Sequence, residues 1–174
     1  MKNIIVADFD DTLLPYDSER YYIIHEIKKG NLKMIFFAIL RKVRIINHTR
    51  FAEFLYKEMK NKDLSLFVDK LVSEINQQVL QQVLSYKDED TEVILLSASP
   101  SCYINKVAKR LGFTGYGSDY YDGVFIHLYA DNKAKFIQEK YPKTDYVYKF
   151  SISDSPTDLP LLTLFDTYVL IPKK

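Results

Sequence analysis

Apolar and polar positions divide the chain into stretches with different periods. The run Ile4 to Ala7 is apolar without alternation, which is typical of a short strand buried on both faces of a parallel sheet. From about residue 18 to 86 no proline interrupts the chain, and Gly30 is the only glycine. Within this interval, RFAEFLYKEM and SLFVDKLVSEINQQVLQQVL place apolar residues at helical spacing. The pattern predicts a long helical insertion after the first strand.

Strands and helices alternate in the remainder of the chain. The predicted order is a strand EVILLSAS, a helix over 102–111 that Gly112 ends, a strand GVFIHLY, a helix over 133–140, a strand YVYKFSIS, a short helix over 159–164 and a strand TYVLI. This alternation predicts an α/β protein with a doubly wound, mostly parallel sheet and right-handed crossovers.

Polar residues follow three of the predicted strands. Asp8 and Asp10 come after the first, residues 97–99 after the second, and residues 154–158 after KFSIS. In doubly wound sheets the functional crevice lies beyond the carboxyl ends of the strands, so these side chains should converge there. Several carboxylates in one place need a cation, and oxygen ligands without thiols or clustered histidines favour Mg²⁺. Such a site suits phosphoryl transfer, with one carboxylate as nucleophile.

Four segments resemble the signatures of the haloacid dehalogenase superfamily and occur in the family's order. DFDDTL is similar to the first, ILLSAS to the second, Lys133 in NKAKFI to the third and SDSPTD to the fourth. The helical insertion resembles the cap of the phosphoserine-phosphatase-like subfamily, and SDSPTDLPLL resembles its fourth-signature segment. The resemblance frames nearly the whole chain and implies a Rossmann-like core with an inserted α-helical cap.

The resemblance implies a role for each residue of the first signature. Asp8 would be the nucleophile that attacks phosphorus. Asp10 would protonate the leaving oxygen and then deprotonate the attacking water, a role that needs a raised pKa. Thr12 would hold the loop that positions Asp10.

The other three signatures imply the phosphate and metal contacts. Ser97 would donate a hydrogen bond to the phosphoryl group, and Lys133 would offset its charge. Asp154 would bind Mg²⁺, and Asp158 would fix Lys133 or a metal-bound water. The implied ligands of Mg²⁺ are Asp8, Asp10 and Asp154.

Several positions have competing interpretations. Lys135 competes with Lys133 for the phosphate role, and the family's spacing favours Lys133. Asp11 is interpreted as solvent-facing or capping, and Ser99 as the cap of the helix that begins near residue 101, with substrate binding as its alternative. Asp17 corresponds by spacing to an acidic substrate-binding position of phosphoserine phosphatases, but helix capping by Asp17 or Ser18 explains it equally well. The three histidines are scattered and are expected to be surface or packing residues.

Composition and charge add constraints on location and partners. The 174 residues suffice for one core plus a small module, and the single Cys102 excludes an internal disulfide framework. Residues 20–62 carry eleven basic and three acidic residues, a net +8 that leaves −7 for the rest. The segment LKMIFFAILRKVRII is too often interrupted by charge to span a bilayer. It is either a core helix of the cap or a surface for an anionic membrane or a phosphorylated lipid.

The sequence therefore predicts a Mg²⁺-dependent phosphomonoester hydrolase that forms an aspartyl-phosphate on Asp8 and acts on a small soluble ester. The alternatives are a phospholipid head-group phosphatase, a phosphotransferase and a non-catalytic anion-binding protein. The catalytic core should comprise residues 1–16 and 87–174, and the cap residues 17–86. A short N-terminal apolar run predicts no secretory signal, hence a cytoplasmic location with peripheral membrane contact as an alternative. No nucleic-acid partner is expected.

Overall fold

A computed structural model describes residues 1–172 as a six-stranded sheet with helices on both faces. The strands are β1 (Lys2–Ala7), β2 (Thr91–Pro100), β3 (Thr114–Tyr121), β4 (Val124–Ile126), β5 (Tyr146–Ser153) and β6 (Thr167–Leu170). The helices are α1 (Ser18–Lys28), α2 (Leu32–Lys42), α3 (His48–Met59), α4 (Ser65–Ser73), α5 (Gln77–Ser85), α6 (Ser101–Leu111), α7 (Asp131–Lys140) and α8 (Leu159–Leu162), the last preceded by a 3₁₀ turn over Pro156–Asp158.

The strand order β4-β3-β2-β1-β5-β6 places β1 at the point where the winding reverses. β1 pairs in parallel with β2 on one side and with β5 on the other, so that Ala7 lies opposite both Leu95 and Ile152. Only the β3–β4 pair is antiparallel within the described residues. The predicted fold class, a Rossmann-like doubly wound sheet, is confirmed. The carboxyl end of β1 is therefore the expected position of a ligand crevice.

Alternate residues of β1 pack against different layers. Ile4 and Val6 belong to an apolar cluster built with α7 and α8. Ile5 and Ala7 belong to the other cluster, which contains buried residues from each of α1–α6. A strand buried on both faces has no polar side to expose, which explains the continuous apolar run in the sequence.

The helical insertion between β1 and β2 shares its core with the sheet. Met34 of α2, Leu55 of α3 and Leu71 of α4 are fully buried and lie in the same cluster as Ile5. The predicted boundaries between catalytic core and cap lie at residues 16/17 and 86/87. Buried side chains from both sides of these boundaries form one apolar cluster. No helix within residues 1–172 is long and apolar enough to cross a membrane.

The predicted strand GVFIHLY is largely wrong, and β3 was not predicted. Only Val124–Ile126 of that segment is a strand, while His127 to Tyr129 leaves the sheet toward α7. β3 contains Gly115 and Gly117, which weaken a strand pattern. The structure needs both glycines, because a Cβ at Gly115 would lie 2.7 Å from Cβ of Ala108, against α6.

An irregular turn, Phe9–Leu13, follows β1 and aims its polar side chains at the crevice. The amide of Asp8 donates to the carbonyl of Ile152 at the end of β5, which ties the start of the turn to the neighbouring strand. Asp11 has φ +55°, in the left-handed region that aspartate tolerates better than most residues. Its side chain is exposed, as predicted.

The close approach of β3 to the β2–α6 junction gives a stability prediction. A Cβ at Gly117 would lie 2.5 Å from the carbonyl oxygen of Ser99 and 2.6 Å from the amide of Ser101. Because backbone would have to move, we expect Gly117→Ala to lower the free energy of unfolding by about 1–3 kcal/mol. Urea denaturation measures this. Gly123→Asn is the comparison: Gly123 has open space, so this variant reports only the strain of φ +82°, which Asn tolerates better than most residues, and it should lose less stability than Gly117→Ala. Equal midpoints for Gly117→Ala and wild type would contradict the packing.

Candidate active site

A cleft of about 150 Å³ lies at the carboxyl ends of β1, β2 and β5. Six of the nine residues predicted for the site line it: Asp8, Asp10, Ser97, Lys133, Asp154 and Asp158. They come from positions as far apart in sequence as 8 and 158, and parallel pairing of the three strands brings them together. The predicted convergence of strand-end polar residues is therefore observed.

Asp8 is the first residue after β1 and is almost completely buried, with 7% of its surface exposed. One carboxylate oxygen, Oδ1, accepts a hydrogen bond from Lys133 Nζ at 2.8 Å. The other, Oδ2, accepts from Thr12 Oγ1 at 3.2 Å and from Ser153 Oγ at 3.4 Å. Burial raises the pKa of Asp8 to about 6, although the charge of Lys133 opposes this shift.

Lys133 lies on the first turn of α7, and its ammonium group joins two carboxylates. Nζ is 2.8 Å from Asp8 and 2.6 Å from Asp158 Oδ2, and all three side chains are buried. Burial lowers the pKa of Lys133, but the two carboxylates outweigh it and hold that pKa above its usual value. Asp158 also accepts from Ser153 Oγ at 2.8 Å. Lys135 is exposed outside the cleft, which supports Lys133 as the signature lysine.

Asp10 is held by serine hydroxyls and by the start of α1. Its Oδ1 accepts from the amide of Ser18 at 2.7 Å and from the Ser18 hydroxyl. Its Oδ2 accepts from Ser99 Oγ at 2.6 Å and from Ser97 Oγ at 3.1 Å. Burial raises the pKa of Asp10, and the bonds from Ser18 and Ser99 oppose that effect. The Ser18 hydroxyl is in turn hydrogen-bonded at 2.7 Å to the phenol of Tyr103, which is fully buried.

The predicted Mg²⁺ ligands Asp8, Asp10 and Asp154 all line the cleft, and their binding of metal stays a prediction. Within residues 1–172, no three His, Cys, Asp or Glu side chains form a group that could hold a metal ion, and both oxygens of the Asp10 carboxylate accept hydrogen bonds from serines. Thr12 joins two carboxylates, with Oγ1 at 3.2 Å from Asp8 and 3.4 Å from Asp154. Mg²⁺ in proteins is often bound through only one or two carboxylates, with water and substrate phosphate completing its shell. The oxygen donors of Asp8 and Asp154 fit that requirement.

The two weaker substrate-binding predictions have different outcomes. Asp17 is the N-cap of α1, where its side chain accepts from the amide of Arg20 at 2.8 Å, so capping accounts for it. The expected capping role of Ser99 is wrong: no side chain caps α6, and the Ser99 hydroxyl donates to Asp10 instead. Ser99 lies inside β2, which runs to Pro100.

Two residues near Asp10 and Asp8 were missed by sequence reasoning. Glu19 has a buried carboxylate oxygen with no hydrogen-bond partner among residues 1–172, and burial together with Asp10 and Asp17 raises its pKa well above the usual value. In the sequence it is one acidic residue in the first turn of a helix, which carries no signal of burial. Ser153 was detectable, since it is a hydroxyl at the end of a predicted strand.

The histidines are less scattered than expected. The rings of His48, on α3, and His127, before α7, lie 4.8 Å apart. Tyr129, which lines the cleft, is 5.2 Å from His48 and stacks on His127 at 5.5 Å. Burial lowers the pKa of His127 to about 4, and burial together with Arg41 lowers that of His48. This aromatic cluster joins the helical insertion to the rim of the cleft.

The fold and the cleft define a doubly wound α/β protein whose buried carboxylates and lysine meet at the switch point of the sheet. The family model for haloacid dehalogenase-like hydrolases matches residues 5–163. The chain belongs to this family and is a hydrolase. Comparison with curated protein sequences returns no match.

Solved structures with low sequence identity share the fold. A Bordetella pertussis Tohama I protein of unknown function has a TM-score of 0.72 and 16% identity over 98% of this chain and 90% of its own. A phospho-aspartyl intermediate analogue of phosphoserine phosphatase has a TM-score of 0.53 and 17% identity, covering 97% and 86%. Phosphoserine phosphatase from T. onnurineus has a TM-score of 0.52 and 15% identity, covering 97% and 90%.

The buried ion triad predicts a large difference between two neighbouring lysines. Lys133→Met removes the cation between Asp8 and Asp158, which leaves two buried carboxylates without a counter-charge. We expect a loss of about 3–5 kcal/mol in the free energy of unfolding. Lys135→Met, on the same helix but exposed, should stay within about 0.5 kcal/mol of wild type. Urea denaturation in the presence of a chelator measures both; similar losses in the two variants would contradict the triad.

The raised pKa of Asp8 predicts a pH dependence of stability in the metal-free protein. Asp8 has a pKa of about 6 when folded, against the reference value of 3.8. Between pH 3.8 and about pH 6, Asp8 keeps its proton in the folded chain but has lost it in the unfolded chain. The stabilising contribution of this proton to the free energy of unfolding is therefore complete below pH 3.8 and is lost as pH rises through about 6. We expect the free energy of unfolding to fall less for Asp8→Asn than for wild type between about pH 4 and pH 7. Parallel curves for the two proteins would be inconsistent with burial of an ionisable Asp8.

Proposed function

We propose that the protein is a Mg²⁺-dependent phosphomonoester hydrolase that forms an aspartyl-phosphate on Asp8. The observation that supports it best is the contact of one buried lysine with both Asp8 and Asp158, at the strand ends that also carry Asp10, Ser97 and Asp154. A single cleft thus brings together two carboxylates of raised pKa, a cation and hydroxyl donors, which suit the proposed nucleophilic and acid/base roles.

The first half-reaction transfers the phosphoryl group to Asp8. A carboxylate oxygen of Asp8 attacks phosphorus, the bond from phosphorus to the ester oxygen breaks, and the leaving oxygen takes a proton from Asp10. Lys133 and Ser97 stabilise the negative charge of the phosphoryl oxygens. The raised pKa of Asp10 suits a group that must hold a proton before the step.

The second half-reaction regenerates the enzyme. Asp10 takes a proton from a water molecule, the water oxygen attacks phosphorus, and the bond from phosphorus to Asp8 breaks to release inorganic phosphate. Mg²⁺ held by Asp8 and Asp154, when bound, supplies positive charge that offsets the phosphate and the carboxylates. Since the Asp10 side chain is bound by serines, we infer that any contribution of Asp10 to the metal comes from its main chain.

Residues 17–86 are proposed to act as the cap of this site. Ser18, at the start of α1, donates two hydrogen bonds to Asp10, so the position of the first cap helix determines where that carboxylate points. On the opposite side, His48 of α3 packs on Tyr129 at the cleft. A cleft of about 150 Å³ favours a small ester as the substrate.

The nucleophile assignment is tested by turnover. Asp8→Asn should lower kcat on every phosphomonoester hydrolysed by wild type by at least about a thousandfold, because amide nitrogen or oxygen cannot replace the carboxylate as nucleophile. The measurement is phosphate release from a panel of soluble phosphomonoesters. Asp122→Asn is the control: Asp122 is exposed in the turn between β3 and β4, does not line the cleft, and has the same left-handed backbone as Asp11, so turnover should stay within about twofold of wild type.

The same assay separates the proposal from its alternatives. Release from no substrate by wild type would favour the anion-binding alternative, and turnover retained in Asp8→Asn would exclude the covalent step. In the presence of an alcohol acceptor, a phosphotransferase would form a new phosphate ester in place of inorganic phosphate. Faster phosphate release from a phospholipid in mixed micelles than from soluble esters would identify a lipid head group as the substrate.

Metal binding is tested without turnover. Excess Mg²⁺ should raise the Tm of the wild type, since a ligand that binds only the folded state at a hundredfold excess over its Kd contributes about 2.7 kcal/mol. Asp154→Asn should abolish this increase, whereas Asp122→Asn, which removes an exposed carboxylate outside the cleft, should preserve it. The measurement is the Tm of each protein with Mg²⁺ and with a chelator. If Mg²⁺ raised the Tm of Asp154→Asn as much as that of wild type, Asp154 would not be a metal ligand.

A further inference from the structure

Helix α2 has one face that packs on the protein and one face whose apolar side chains are more than half exposed. On the packed face, Met34 is fully buried and Phe37 stacks on Phe54 of α3 at 3.8 Å between ring centroids. The other face carries four apolar side chains at helical spacing. These residues, which we call the α2 apolar row, and their exposed fractions are Leu32 79%, Phe36 57%, Ile39 53% and Val43 56%.

The α2 apolar row differs from the scattered exposed residues of an ordinary surface. Neighbouring residues Ile24 and Ile27 on α1, which contacts α2, are 41% and 36% exposed, and Ile45 after α2 is 68% exposed. Large apolar patches on a protein surface mark sites of interaction with a partner or a membrane. The expectation that this segment is simply a core helix of the cap accounts for Met34 but not for the row.

The chain segment that carries the row is strongly basic. Between Glu26 and Glu53 the chain has seven basic residues and no acidic residue. Lys33 forms an ion pair with Glu58, but Lys28, Lys29, Arg41, Lys42 and Arg44 have no carboxylate within 4 Å among residues 1–172. An apolar row flanked by unpaired cations has the two properties that an interfacial helix needs: apolar area to enter the acyl boundary, and cations to meet anionic head groups.

We propose that α2 docks the protein on an anionic lipid bilayer, with the α2 apolar row in the interface and the flanking lysines and arginines on the lipid head groups. Charge complementarity selects this occupant, because a second copy of the chain would bring the same uncompensated cations against each other. The residues that line the cleft include none from α2.

The surface is connected to the cleft through a short segment. α2 ends at Lys42, and His48, six residues later, packs on Tyr129 at the cleft with its ring 5.2 Å away. Docking would therefore hold the protein by the helix that precedes the aromatic cluster at the rim. A bilayer-bound enzyme would take substrates produced at, or contained in, that bilayer.

Vesicle flotation of the full chain tests the proposal. Vesicles of phosphatidylglycerol and phosphatidylcholine should bind the protein at low salt, whereas phosphatidylcholine vesicles should not, and high salt should weaken binding. The double variant Phe36→Ser/Ile39→Ser should lower the partition coefficient by roughly tenfold or more. Lys28→Gln/Lys42→Gln should lower it by a similar factor.

Matched controls carry equivalent changes elsewhere. Leu66→Ser removes an apolar side chain of α4 that is 87% exposed, and Lys106→Gln/Lys109→Gln removes two exposed cations from α6. Both should bind vesicles like wild type. An unchanged Tm in all variants verifies folding.

Three results would overturn the proposal. They are no binding of wild type to anionic vesicles, binding unchanged by the α2 variants, and a sedimenting dimer that the Phe36→Ser/Ile39→Ser variant dissociates without any vesicle binding by wild type. Flotation of Asp8→Asn in parallel keeps docking separate from catalysis, since failure of the proposed chemistry leaves its vesicle binding intact.

Discussion

The ammonium group of Lys133 is the interaction on which the site depends. Asp8 and Asp158 are both buried, and their charges could not remain together in the interior without a cation. Lys133 reaches both from the first turn of α7, so one side chain fixes the relative positions of β1, α7 and the turn after β5. The hydroxyl of Ser153, at the end of β5, donates hydrogen bonds to the same two carboxylates, so the sheet also holds them in place.

A second group of contacts connects the chemistry to the helical insertion. Asp10 receives hydrogen bonds from Ser18 on α1 and from Ser97 and Ser99 on β2. The proposed acid/base group is therefore positioned jointly by the first helix of the insertion and by the central sheet. Any displacement of α1 would change the donors around Asp10. The insertion thus supplies a hydrogen-bond donor to the proposed acid/base group and, through α2, also presents a basic and apolar surface.

Sequence reasoning succeeded where a local pattern has one physical meaning. Apolar runs predicted β1 and β2, the segment YVYKFSIS predicted β5, and the proline-free interval predicted the helices of the insertion. It failed at β3, because Gly115 and Gly117 weaken the strand pattern. Both glycines are needed for close packing against Ala108 and Ser99, and the sequence pattern does not show that packing. It failed also at Ser99, because a hydroxyl before a helix has the same signature whether it caps the helix or faces a carboxylate.

The sequence by itself determined the fold class, the family and the set of polar residues at the strand ends, since these follow from periodicity and from motif spacing along the chain. Only the tertiary structure decided which partners these residues have. It placed the Asp10 carboxylate among serine donors, left Oε1 of Glu19 buried without a hydrogen-bond partner among residues 1–172, and exposed one face of α2. Those outcomes depend on how separate elements pack, because burial and hydrogen bonding are properties of the assembled chain and are not encoded at any single position.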